Sequence, residues 1–518
     1  MKTTGRHAAT TRRTDLRRFM TCWVVVVPFV ALWSLANPLM AAPDESANVF
    51  EAAAAVRLEF NTPLVAIPVL GKENQIVLPP SLVRLGHISD CLVNPVNSAH
   101  CEHPAATTSN ITTTQFGRYP QLYYLIVGWP TLFSKAQLGV YGVRLVAAFW
   151  CSGLIALGIW ELLTFASGRR WLMGIFVSLT PAFAYWCSVA NNSGFEISAS
   201  FAMWCGLLTL ATRKDLPKSL LWTSAISTGL LIQTRPISPI LAATIVGTSA
   251  VLAGRSRAKE IIASGSARGP LVIVAISIAA AGVWDVSVGG PPLLGVKPPA
   301  HSTLGALRMI FHLEANRVQS LVGNLLGVLE PRPLFLLWVA MLGTVVIVVW
   351  KSTLLRTKLV ALGLVAFIFA IATAFEIHYF SEVGAWWQAR YGMPLLIGVP
   401  LVLTLGPLKA VRVRQIPSFI YTTFSASFVV LQFGTLAWAI HRYANGINGP
   451  WRIARQSWQP PGGIVILLGL SVTLTAAIVI LLAVLTTPLG TTPKRPDQDP
   501  DLDLVEMGSP NAELPAWD

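Results

Sequence analysis

Long apolar runs separated by short basic or polar clusters set the pattern of this chain. The first run, Phe19 to Ala36, follows a basic polar stretch at 1–18 and lies near the lower length limit for a membrane span. Further runs fall at 139–165, 171–189, 194–212, 218–234, 237–254, 270–289, 333–350, 358–376, 391–407, 418–440 and 464–486. Together they predict an all-α, polytopic transmembrane helix bundle of about twelve spans within residues 19–490. Residues 37–118, rich in Pro, Asn, Thr and Ser, are too long and polar for a tight turn and predict a loop with structure of its own. The stretch 119–134, YPQLYYLIVGWPTLFS, is apolar but short and rich in Tyr and Trp, which predicts an interfacial helix. A second long loop is expected at 290–332, and an acidic, Pro-containing tail at 491–518 is expected to be disordered.

Composition agrees with this pattern, since 53% of residues are hydrophobic and only 12% charged, about half the charge of a soluble domain. The net charge of +14 does not point to nucleic acid, because the basic residues cluster at the ends of apolar runs, where they orient spans. The short loops around Arg169, Arg213, Arg255, Lys351 and Lys409 are all basic, and so is the N-terminus. The positive-inside rule then places both termini in the cytoplasm of a cell (plasma) membrane and residues 37–118 outside it. Ala41 and Ala42 imitate a signal-peptide cleavage site, but a retained first span fits the remaining topology.

Four cysteines fall in apolar runs and read as small buried hydrophobes. Cys91 and Cys101 share the polar loop CLVNPVNSAHC, where an oxidising compartment favours a disulfide over a metal pair with His100 and His103. Three groups could carry chemistry. Asp44 and Glu45, just beyond the first span, suit a general base and a supporting ligand, the place also for a divalent metal of unknown ligand set. The competing reading is a helix start with Pro43 at its head and acids in the first turn. Asn192 and Glu196 lie in the turn NNSGFE, where Glu196 either faces a substrate or closes a capping box with Ser193. Arg144, Arg235 and Arg390, the last followed by Tyr391, lie at the outer face against the charge bias; their planar forks suit phosphate, while snorkelling or pairing with Glu376 or Glu382 is the plainer explanation.

In order and spacing, LANPLMAAPDE, GRYPQLYYLIVGW, GVRLVAAFW, LTPAFAYWCSVANNSGFEISAS, TRPISPI and WWQARYGMP resemble the predicted bacterial membrane proteins called domain of unknown function 2142, over about residues 20–440. That family is similar in layout to GT-C glycosyltransferases, multi-span enzymes that use lipid-phosphate-linked sugars and carry an acid in the first external loop. The resemblance implies that Asp44, or its neighbour Glu45, is that acid, and that Tyr119, Pro120, Tyr123 and Tyr124 with Arg144 form the interfacial helix leading into the second span. Asn192 and Ser193 stand where the family often has Asn-Pro or Asp, a departure that weakens any second catalytic acid there.

These readings converge on an inverting, GT-C-like glycosyltransferase with a polyprenyl-phosphate sugar donor and an external glycan, lipid or protein acceptor. Asp44 would be the base, Arg235 and Arg390 would hold the donor phosphate, and the lipid tail would lie among membrane lipid between spans. The competing classes are a flippase or transporter of lipid-linked saccharides, marked by intramembrane charges and broken helices, and a non-catalytic envelope-assembly protein.

Overall fold

The structure, a computed structural model, describes residues 3–67, 71–104, 106–290, 331–383, 387–407, 416–451 and 458–486. The loop expected at 290–332 and the tail at 491–518 lie almost wholly outside the described residues. Helix α1 runs Thr3–Ala36, continuing the first apolar run back into the basic N-terminal stretch. A short turn leads to α2 (Glu45–Ala55) and then to a three-stranded antiparallel sheet of β1 (Leu64–Ile67), β2 (Gly71–Val77) and β3 (Ile111–Thr114), in the order β1-β2-β3. This sheet, with α3 (Pro80–Gly86), is the structure inside the long polar loop. Its register pairs Asn74 with Leu64 on one side and with Thr114 on the other. The Thr114 hydroxyl then donates to the Ala47 carbonyl at 2.9 Å, fixing the end of β3 against α2.

The interfacial stretch forms α4 (Leu122–Gly128) and α5 (Pro130–Phe133). Tyr123, Tyr124 and Val127 are buried against α2 and the bundle, while Trp129, Leu132 and Phe133 stay exposed, the split expected of an element at a membrane boundary. The bundle follows as α6 (Ala136–Phe165), α7 (Trp171–Ser178), α8 (Pro181–Ser188), α9 (Asn192–Thr212), α10 (Lys218–Ile232), α11 (Ser238–Ala253), α12 (Arg255–Ala263) and α13 (Arg268–Val288). After the second loop come α14 (Arg332–Trp350), α15 (Leu355–Val383), α16 (Ala389–Leu396), α17 (Gly398–Leu405), α18 (Ser418–Asn445) and α19 (Ile464–Thr486).

Among the described residues, eight helices are long and apolar enough to cross a membrane. Two bent pairs, α7 with α8 at 58° and α11 with α12 at 116°, raise this to 10 if each is one span. The expected spans 218–234 and 391–407 correspond to a 15-residue helix and to two helices of eight residues each, shorter than the roughly 20 residues of a straight crossing. The chain is a polytopic, helical membrane protein.

Helix α9 is the axis of the bundle, enclosed by α6, α8, α10, α11, α16 and α17. Its sequence explains the position. Gly194, Ser198, Ala199, Ser200, Ala202 and Gly206 keep its surface low, so neighbouring backbones approach closely. A Cβ at Gly194 would run into the Trp186 carbonyl, so the α8–α9 turn closes only around glycine. Charges lie inside candidate spans, at Arg144, Glu161 and Glu196, and each is fully buried.

Candidate functional site

The turn between α1 and α2 sends two adjacent carboxylates in different directions. Glu45 turns inward and is fully buried. Its oxygens take Arg144 Nε at 2.6 Å and Nη2 at 2.7 Å, and Oε1 also accepts from the Ala190 amide at 3.1 Å. The remaining Arg144 N–H groups donate to the carbonyls of Ser34 (2.9 Å), Asn37 (2.8 Å) and Pro38 (2.6 Å). All five guanidinium donors are thereby used. With Glu45, Arg144 forms a clamp that joins the end of α1, the start of α2 and the α8–α9 turn, and is not a ligand for substrate phosphate as its outer position suggested. Glu45 is its counter-ion, and with the Ala42 amide also donating to Oε2 at 3.4 Å it has no lone pair to spare for chemistry.

Asp44 faces the other way. It occupies the cap position of α2 with φ 59°, yet its side chain makes no capping bond. The carboxylate instead pairs with Arg390 Nη2 and accepts from Gln115 Nε2 at 3.2 Å. Its side chain keeps 24% of its surface exposed, whereas that of Arg390 keeps 2%. Arg390 comes from the start of α16, lies over the Trp186 ring at 4.9 Å and the Tyr391 ring at 5.3 Å, and its Nη1 reaches the Pro43 carbonyl at 3.3 Å. The helix-start explanation accounts for where Asp44 sits but not for where its carboxylate points.

The head of α9 supplies the second half. Asn191 caps the helix by accepting from the Ser193 amide at 2.9 Å, so of the two readings of Glu196 the Ser193–Glu196 capping box does not form. Glu196 is released to accept from the Ser238 hydroxyl at 2.6 Å and to lie 3.7 Å from Arg235. Arg235 donates through Nε (3.1 Å) and Nη2 (2.7 Å) to Asn192 Oδ1 and stacks on the Tyr391 ring at 4.9 Å. Asn192 is held in turn by Tyr124, whose hydroxyl receives its Nδ2 at 3.2 Å. Tyr391 thus lies beneath both arginines, and the structure brings Asp44, Asn192, Glu196, Arg235, Arg390 and Tyr391 together at one end of the bundle. Pairing of the arginines with Glu376 or Glu382 falls on side chains outside the described residues.

Sequence reasoning missed Gln115, Trp186 and Ser238, ordinary polar and aromatic residues that become site residues only through tertiary approach. Tyr119 adjoins them: burial foremost pushes its hydroxyl above the usual tyrosine range, and Arg235 and Arg390 oppose the shift while Tyr391 and Asp44 add to it. A divalent metal does not fit at Asp44 and Glu45, because Glu45 is taken up by Arg144 and the Ala190 amide and Asp44 faces a guanidinium. Among the described residues no group of three His, Cys, Asp or Glu side chains could hold an ion. Cys91 and Cys101 are joined in a disulfide, with Cα atoms 6.2 Å apart. Arg442 of α18 binds the loop they close through the carbonyls of Asn97 (2.6 Å) and Leu92 (2.7 Å).

No curated protein and no solved structure matches the chain. Residues 28–399 match the family described as Predicted membrane protein (DUF2142), and the chain belongs to it.

Proposed function

We propose that the protein is a GT-C-like membrane glycosyltransferase that takes a sugar from a polyprenyl-phosphate donor on the extracytoplasmic face. The observation that carries this reading is Asp44: a carboxylate turned away from its own helix, partly open, and paired with Arg390, which shares the Tyr391 ring with Arg235. In the reaction the acceptor hydroxyl oxygen bonds to the anomeric carbon as the bond from that carbon to the phosphate oxygen breaks. The electron pair stays on the phosphate, the hydroxyl proton passes to Asp44, and the anomeric centre inverts.

Arg390 links the two ends of this step. As the cluster stands, two guanidiniums face two carboxylates, Asp44 and Glu196. A donor phosphate drawn to Arg390 competes with Asp44 for the guanidinium and leaves an Asp44 oxygen open to the acceptor. Arg235, anchored by Asn192, then stabilises the charge that develops on the leaving phosphate. Planar, pre-oriented forks serve this better than lysine would.

A carrier of lipid-linked saccharide is the second reading, favoured by the broken pair α7–α8 and by the buried charges in α6 and α9. Glu196 lies in the first turns of α9 and not at its middle, whereas transporters place their sites near the bilayer midplane. The test is to incubate purified protein with radiolabelled polyprenyl-phosphate sugars and cell-envelope acceptors. Label should move to an acceptor with inversion at the anomeric carbon. Movement of intact donor across proteoliposome membranes, with no label transferred, would establish the carrier instead.

A further inference from the structure

We propose that a second site, at the end of the bundle away from Asp44, binds a phosphate-bearing anion: an anionic phospholipid headgroup or a free phosphate ester. A cavity of about 450 Å³ lies there among α6, α9, α11, α15 and α17, within the ~300–1,000 Å³ of ordinary ligand sites. Three arginines line it: Arg170, Arg213 and Arg356. Each is tethered by a backbone carbonyl, and a carbonyl orients a guanidinium without neutralising it. Arg170 donates to Gly406 at 2.8 Å, Arg213 to Phe165 at 2.6 Å, and Arg356 to Leu252 at 2.6 Å.

Their charge balance differs from that of the Asp44 cluster. Arg213 has a carboxylate, Asp215, held at 2.6 and 2.8 Å. Among the described residues no carboxylate pairs with Arg170 or Arg356, and Arg170 Nη1 is buried without a hydrogen-bond partner. A buried donor on an uncompensated cation is costly to leave bare, and both uncompensated arginines line a cavity with room for a ligand. An anion with several acceptor oxygens satisfies it, and phosphate matches the fork.

The level of the cavity is set by the same helix that carries the first site. Asn192 opens α9 and Thr212, which lines the cavity, closes it. Its 21 residues rise about 30 Å, the thickness of a bilayer's hydrocarbon core. The three arginines therefore sit at the headgroup level opposite to Asp44, where phospholipid phosphates are concentrated and where clustered arginines attract anionic lipid. The site stands whether or not the Asp44 cluster is catalytic.

The full-length protein, purified in detergent, is given phosphatidylglycerol and phosphatidylcholine in equal amounts and examined by native mass spectrometry, with a parallel thermal-shift titration using inorganic phosphate. The wild type should retain phosphatidylglycerol over phosphatidylcholine by roughly tenfold or more, a preference that Arg170→Gln with Arg356→Gln abolishes and Arg356→Lys largely keeps. Displacement of the lipid by inorganic phosphate, with a raised melting temperature in the wild type alone, assigns the site to a free phosphate ester. Equal retention of the two lipids by the wild type together with no response to phosphate overturns the proposal, whatever the variants do. So does undiminished phosphatidylglycerol preference in a folded double variant.

Discussion

At Asp44 the backbone adopts φ 59°, a left-handed conformation that Asp and Asn tolerate better than other non-glycine residues. That single turn separates two adjacent acids, leaving Glu45 inside with Arg144 and Asp44 at the rim with Arg390. Their substitutions should fail in different ways. Glu45→Gln leaves a fully buried guanidinium without its counter-ion, a loss on the order of 3–5 kcal/mol, and should lower the yield of folded protein and its melting temperature. Asp44→Asn suits the same backbone, keeps an oxygen for Arg390 and sits at a partly exposed rim, so it should lower the melting temperature much less than Glu45→Gln does. Identical melting curves for the two variants would contradict this division of roles. The sequence carried both acids and both readings of them, a helix start or a working pair. It could not choose, because the choice depends on Arg144 and Arg390, which are 99 and 346 positions away from their partners.

Among elements, α9 was the most legible and its first turn the least. A run of apolar and small residues from 194 to 212 identifies a span; Ser193 followed by Glu196 imitates a capping box, and the imitation fails because Asn191 caps first. Gln115 was invisible for a related reason. It reaches Asp44 only because the sheet register sets Thr114 against Asn74 and α2, and no local pattern in a long polar loop announces such a register. Gly194→Ala should push the α8–α9 turn apart and weaken the Asn192–Arg235 contacts while leaving the span inserted. A loss of donor binding with normal membrane insertion is the expected outcome, and unchanged binding would show that the turn is less tightly fixed than its packing implies. The Cys91–Cys101 bridge closes a loop of sequence separation 10, for which the chain model gives a stabilisation on the order of 2.5–3 kcal/mol. Cys91→Ser with Cys101→Ser should lower the melting temperature, and a midpoint equal to that of the oxidised wild type would show that Arg442 alone holds the loop.

For the whole molecule, hydropathy identified a multi-span helical membrane protein, but where helices break or shorten it could not fix the number of crossings. Orientation rests on charge alone and is testable directly. Cysteines introduced at Val93 and Ile262, both well exposed, should react with a membrane-impermeant maleimide from the outside and only after permeabilisation, respectively. The reverse pattern would invert the topology. Stability should also depend on pH through Glu51 of α2, whose carboxyl burial pushes up to about 7. The folded protein keeps a proton that an unfolded chain releases near ~4.3. The stability this contributes is complete below that value and is lost as pH rises through about 7. The melting temperature should therefore fall across that window, and Glu51→Gln should flatten the fall; an unaltered slope would place the titration elsewhere.

Single-turnover transfer by the Asp44→Asn variant tests the central claim most directly, because it separates a base from a residue that merely starts a helix. Asparagine keeps the shape and the left-handed backbone but cannot take the acceptor proton. Donor binding should persist while transfer from the polyprenyl-phosphate sugar falls by about a hundredfold or more, the usual share of general base catalysis. Transfer at the wild-type rate by this variant would contradict the account and leave Asp44 as a counter-ion that positions Arg390.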